Sequence, residues 1–236
     1  NKDAGTIMKT SIQIGKVMGI PIKIHISFLL VLVLFPVVFA SDAVFGFADV
    51  ASVLLRYALA LTLTILLFSC VLLHELGHSW VAMRYGIGIR SITLILLGGI
   101  AAMEEVPRDP RAEMRISIAG PLVSLTIGVL CYLAYLGLGI YDMVQISTIS
   151  HISHFLWSIA YINIVLFAFH LIPAFPMDGG RVLRAWYARR IPYLQATRKA
   201  VHIGKMFAIV MGVLGLFASI WLILIAFFIY IGASEE

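Results

Sequence analysis

Charge is the first thing this sequence lacks. Only 12% of its 236 residues are Asp, Glu, Lys or Arg, about half the roughly 25% usual in a soluble domain. A chain of this size buries about 70 to 75% of its surface on folding. One soluble core therefore cannot hide a composition that is 61% hydrophobic, with a mean hydropathy of +1.02. Cysteine is scarce too: Cys70 and Cys131 are the whole complement. Both fall in apolar runs without ligand spacing, which excludes a disulfide framework and a thiolate metal site. Acidic residues are outnumbered, giving a net charge of +5 and a pI near 9.3. The Lys and Arg residues lie in short segments between apolar runs, so they read as topology signals and no nucleic-acid partner is expected. What remains is a lipid-embedded chain. Each span takes about 20 residues, so there is room for five or six spans and none for a sizeable soluble domain.

Residues 1–10 begin without Met and carry no pattern; they read as a disordered start or an expression remnant, and residues 11–236 as one membrane domain. Ile12 and Ile14, then Ile20, Ile22, Ile24 and Ile26, alternate with polar residues around Gly19 and Pro21, which predicts short strands. Apolar runs predict spans over 26–40, 53–85, 116–140 and 149–172. The run 206–232 would be about 40 Å long as one helix, so it is divided into two short spans near Gly212 and Gly215. Residues 87–106 contain Gly88, Gly98 and Gly99 and are too broken for a span. They predict a hairpin or small sheet at membrane depth, whose backbone must be shielded by protein or a wet cavity. An amphipathic, Arg-bearing helix follows Met177 to about residue 190. The expected fold class is an all-α polytopic membrane protein of about six transmembrane helices with a small membrane-associated β-sheet. On this topology all Lys and Arg except Arg56 fall on one side, and Asp42, Asp49 and Asp142 on the other. The positive-inside rule then predicts a multi-pass cell-membrane protein with both termini cytosolic.

An ionisable residue inside a span costs about 2.5 to 3.5 kcal/mol even on the lenient insertion scale. The second span nonetheless carries His74, Glu75 and His78, in the order HELGH. On a helix this pattern puts two imidazoles at i and i+4 on one face, where they can grip a metal ion, with Glu75 beside them to hold the metal's water. A single buried histidine more often just bonds a carbonyl. Two histidines and a glutamate in hydrocarbon would be costly without a shared ion. Zinc catalysis requires a third protein ligand, and Asp178, in the segment FPMDGG, is the candidate. Its alternative reading is an N-cap of the helix that follows.

HELGH on a span, LLGGIAAMEE, the Ala119-Gly120-Pro121 triplet and LIPAFPMDGGRVLR over 171–184 together resemble the site-2 protease family of intramembrane zinc metalloproteases. The likeness is closest to the compact archaeal and bacterial members and runs over nearly the whole chain from residue 11. It implies one zinc ion held by His74, His78 and Asp178, with Glu75 as catalytic acid/base. It also implies a reaction, hydrolysis of a peptide bond in or near the transmembrane segment of a membrane-anchored protein. The chain departs from the family's Phe-Asn-Leu pattern with Phe169-His170-Leu171. If that Asn holds the scissile carbonyl or its oxyanion, His170 would have to serve instead, with Asn163 as a second candidate donor. A zinc-binding membrane transporter is the alternative class. It would need a relay of sites to both surfaces, whereas the ionisable residues converge on one depth.

Overall fold

The computed structural model describes residues 10–96, 98–105, 107, 109–139 and 147–235. The expected start at 1–10, save Thr10, and the loop carrying Asp142 lie outside the described residues. The elements in chain order are β1 (Ser11–Val17), β2 (Ile20–His25), α1 (Phe28–Ser41), α2 (Val53–Arg84), β3 (Ile89–Ile95), β4 (Gly98–Met103), α3 (Pro110–Gly139), α4 (Ser147–His170), α5 (Asp178–Ala188), α6 (Tyr193–Ala218) and α7 (Ile220–Glu235).

The two expected β segments form a single sheet, in the order β1-β2-β3-β4. Met18 and Gly19, at φ 53° and 81°, turn β1 back onto β2, as a two-residue hairpin requires. β2 pairs parallel to β3, with Ile22 opposite Ile92 and Ile24 opposite Leu94. The sheet packs on α2 through Ile20, Ile22 and Ile92 around Leu76. Residues Ser91 to Leu94 of β3 are buried on both faces. β1 is exposed along most of its length, and β4 forms the other edge.

α2 is the axis of the bundle. No Gly or Pro interrupts it before Gly77, so 32 residues stay helical, about 48 Å at 1.5 Å per residue. Ser52 caps its start by accepting from the Leu55 amide at 3.4 Å. Arg56, the basic residue expected on the far side, has its charge met locally: its Nε and Nη2 donate to the Val50 carbonyl at 2.9 and 2.6 Å. Among the described residues, four helices are long and apolar enough to span a membrane: Val53–Arg84, Pro110–Leu138, His151–His170 and Tyr193–Ala218. Phe28–Ser41 and Leu222–Ser234 are the shorter apolar helices, so the sixfold count includes two segments that are not full-length.

The last apolar run divides elsewhere than expected. α6 continues through Gly212 and Gly215 and ends at Ser219, whose backbone is extended. The glycines serve close packing. A Cβ on Gly215 would lie 2.8 Å from Ile223 Cγ1 and 2.9 Å from the Ile223 amide nitrogen, and one on Gly212 would touch Ala226 Cβ at 3.5 Å. Small residues of this kind let neighbouring helices approach in lipid, where dispersion contacts replace the hydrophobic drive. Gly215→Ala is expected to force α6 and α7 apart and cost about 1 to 3 kcal/mol, read as a lower Tm of the detergent-solubilised protein, while Gly212→Ala leaves Tm nearly unchanged.

Candidate metal centre

His74 and His78 lie one turn apart on α2 and are both buried. Their ring centroids are 4.8 Å apart, and their Nε2 atoms face each other at 3.1 Å. Asp178 arrives from the other end of the chain. It is the first residue of α5, where the preceding Met177 holds the cap position without any side-chain cap bond. The Asp178 carboxylate is thus free of the capping task. Its Oδ2 lies 3.3 Å from His74 Nε2 and 3.2 Å from His78 Nε2. Gly179 and Gly180 belong to the first turn of α5. Side chains there would collide with the backbone of Leu171 to Phe175, so these glycines permit the tight return that delivers Asp178.

The donor set fits a metal ion on two counts. Edges of 3.1, 3.2 and 3.3 Å match one face of a tetrahedron, since zinc bonds of about 2.0 to 2.1 Å imply ligand separations of about 3.3 Å. The protonation pattern agrees. His78 Nδ1 lies 2.7 Å from the Ile116 carbonyl, which only accepts, so the proton sits on Nδ1 and Nε2 turns a lone pair inward. His74 Nδ1 is anchored at 2.9 Å to the buried Ser124 hydroxyl. Outward Nδ1 bonds of this type orient metal-ligating histidines. Lone pairs and a carboxylate converging in a low-dielectric interior demand a cation between them.

α3 builds the wall behind this cluster. Ile116, Gly120 and Ser124 recur every four residues on one helical face. A Cβ on Gly120 would lie 2.7 Å from His74 Nε2 and closer still to His78 Nε2. In the first turn of α3, Glu113 Oε1 accepts from Arg184 Nε at 2.8 Å and Nη2 at 2.6 Å. Both side chains are buried, and the pair ties α5, and with it Asp178, to α3. Removing one partner of such a buried pair costs about 3 to 5 kcal/mol. Ser124, Glu113 and Arg184 were not identifiable from sequence. The one available signal is the spacing of 113, 116, 120 and 124 along a single face.

Glu75 is half-buried and its side chain lies against Gly99 of β4. It lines two adjoining cavities of about 420 and 320 Å³, which share Glu75, Gly98, Gly99 and His170. The larger also reaches His78, Asp178 and the edge strand β4. Gly99 makes room for the glutamate, because a Cβ there would sit 2.6 Å from Glu75 Cγ. His170, the last residue of α4, has its ring centroid 4.5 Å from that of His74. Asn163 is placed apart. Its Nδ2 donates to the Ile159 carbonyl at 2.9 Å, and it is absent from the lining of both cavities.

Three donors on one face of a tetrahedron, beside a glutamate and inside an apolar helical bundle, form a candidate metal centre of a membrane protein. Residues 62–212 match the model of Peptidase family M50, and the chain belongs to that family. It is 40% identical over 230 residues to a zinc metalloprotease of Methanocaldococcus jannaschii, covering 97% of this chain and 61% of that protein. It is 26% identical over 172 residues to the stage IV sporulation protein FB of Bacillus subtilis, covering 70% of this chain and 55% of that protein. The chain thus spans about three-fifths of the length of the first of these relatives. Among solved structures, the site-2 protease from Methanocaldococcus jannaschii superposes with a TM-score of 0.63 at 39% identity, over 96% of this chain and 94% of that one.

Gly120→Ala places a methyl group where the two imidazoles meet. Zinc affinity is expected to fall by at least about 10- to 100-fold, the range for disturbing a ligand's support, with helix content unchanged by circular dichroism. Retention of stoichiometric zinc through a competing chelator would contradict this geometry.

Proposed function

We propose that this chain, with 11–236 as one domain, hydrolyses peptide bonds in or near the transmembrane segments of membrane-anchored proteins. One zinc ion would be held by His74, His78 and Asp178. The single observation that carries this reading is the triangle of donor atoms beside Glu75 on a helix of spanning length. Zinc in such a site supplies Lewis acidity and lowers the pKa of its water to about 7. The Glu75 carboxylate takes the proton of the attacking water on one of its oxygens and hands it to the leaving amine. Ser124 and the Ile116 carbonyl hold the imidazole rings in register. Of His170 and Asn163, only His170 lines the cavities.

Depth agrees with a wet, buried reaction. Arg84 and Arg115 mark one end of α2: Arg84 stacks over Trp80 and Arg115 donates to Tyr85 Oη at 2.8 Å. His74 is ten residues deeper than Arg84, about 15 Å. We take this basic end as cytosolic, with both termini on that side. No feature of the site or of the family match favours the transporter alternative.

A helical substrate hides its carbonyls, so it must be extended before attack. β4 is the sheet edge beside the site, and Gly98 to Ala101 line the larger cavity with Glu75. We assign this edge to the unwound substrate, which adds as a further strand.

Two measurements test the reading. Glu75→Gln in purified protein is expected to keep one zinc per chain and lose cleavage of a single-span substrate by about 10² to 10⁴-fold; undiminished cleavage would refute the assigned acid/base. Prolines placed singly at Ile100 and at Ala101 block amides that point to opposite sides of β4. The one facing the cavity should abolish cleavage with zinc content intact.

A further inference from the structure

Three imidazoles meet at this site, each with its Nδ1 turned outward to an oxygen. His74 Nδ1 turns outward to Ser124 Oγ, His78 Nδ1 to the Ile116 carbonyl, and His170 Nδ1 to the Leu166 carbonyl, at 2.9, 2.7 and 2.9 Å. A carbonyl oxygen only accepts, so the His170 proton is on Nδ1 and its Nε2 carries a lone pair. A neutral His170 therefore has no Nε2 proton to give to an oxyanion. It is equipped to donate electrons, as His78 is. One ligand atom from each of His74, His170 and Asp178 already lies within 4.8 Å of the others. Atoms sharing a tetrahedral zinc are about 3.3 Å apart, so His170 joins the shell by closing on His74 and Asp178 by up to about 1.5 Å and drawing equally near to His78. His170 is the last residue of α4, next to the turn over 171–177. The family pattern places Asn here, which has no imidazole nitrogen to offer.

We propose that His170 is a fourth zinc ligand that closes the coordination shell at rest and withdraws to open it for water and substrate. The inference rests on the reading that zinc is held by His74, His78 and Asp178. It deepens that reading, because four protein ligands leave no open position whereas a catalytic site requires one. In this chain the resting centre is accordingly self-blocked. Displacement of one imidazole, with no bond broken in the chain, gates the reaction.

The test is X-ray absorption at the zinc edge on the purified, zinc-loaded protein, alongside His170→Asn, a substitution compatible with the family's own residue. The wild type is expected to show three imidazole scatterers and His170→Asn two, with a light oxygen scatterer in place of the third. Extraction of zinc by a chelator should be at least about tenfold faster from the variant, since loss of a ligand weakens binding no less than loss of its support. Two imidazoles in both proteins would overturn the fourth ligand and leave the protease reading intact. Three imidazoles in both would also overturn it, assigning the third to another histidine. Failure of the wild type to bind zinc would overturn both readings together.

Discussion

The structure depends on holding three electron-rich atoms within 3.1 to 3.3 Å of one another inside an apolar bundle. Left to themselves, the lone pairs of His74 and His78 and the Asp178 carboxylate repel, and hydrocarbon screens nothing. Most of the unusual sequence features serve to keep them there. α3 presents a residue without a side chain at Gly120 and polar anchors at Ser124 and Ile116. The connection from α4 packs so closely against Gly179 and Gly180 that α5 starts beside α2 rather than a turn away. The buried Glu113–Arg184 pair then fastens α5 to α3. Such a pair is costly to desolvate and contributes position more than stability.

The sheet solves a different problem on the other flank of α2. A β-strand in a membrane is tolerable only where its backbone is covered or faces a cavity. Burial of β3 on both faces meets the first condition and the cavity along β4 meets the second. The same strand comes so near Glu75 that only glycine fits at position 99. Shielding the sheet and positioning the glutamate are one packing event.

Much of this was legible in the residues. HELGH announced a two-imidazole face because helical spacing is local, and the β segments showed as alternation and glycine punctuation. From its sequence Asp178 reads equally as a ligand or a cap; in the structure Met177 holds the cap position. The parallel pairing of β2 with β3 was not legible, because it joins segments separated by two helices and has no local signature. Nor was Ser124, an ordinary serine until α3 is laid against α2. Gly212 and Gly215 misled for a physical reason: glycine both breaks helices and lets them touch, and in lipid the second use is common.

α1 has one further consequence. Its 14 residues make about 21 Å of helix against a hydrocarbon layer of about 30 Å, and its Phe35 borders the cavity that holds Glu75. A span this short is met by local thinning of the bilayer, by snorkelling of flanking residues or by oligomerisation, at a fraction of a kcal/mol per Å. Where the bilayer thins, headgroups and their hydration come inward along this side of the protein. The candidate metal centre, deep by residue count, then lies beneath a shallower oil film than its position on α2 suggests.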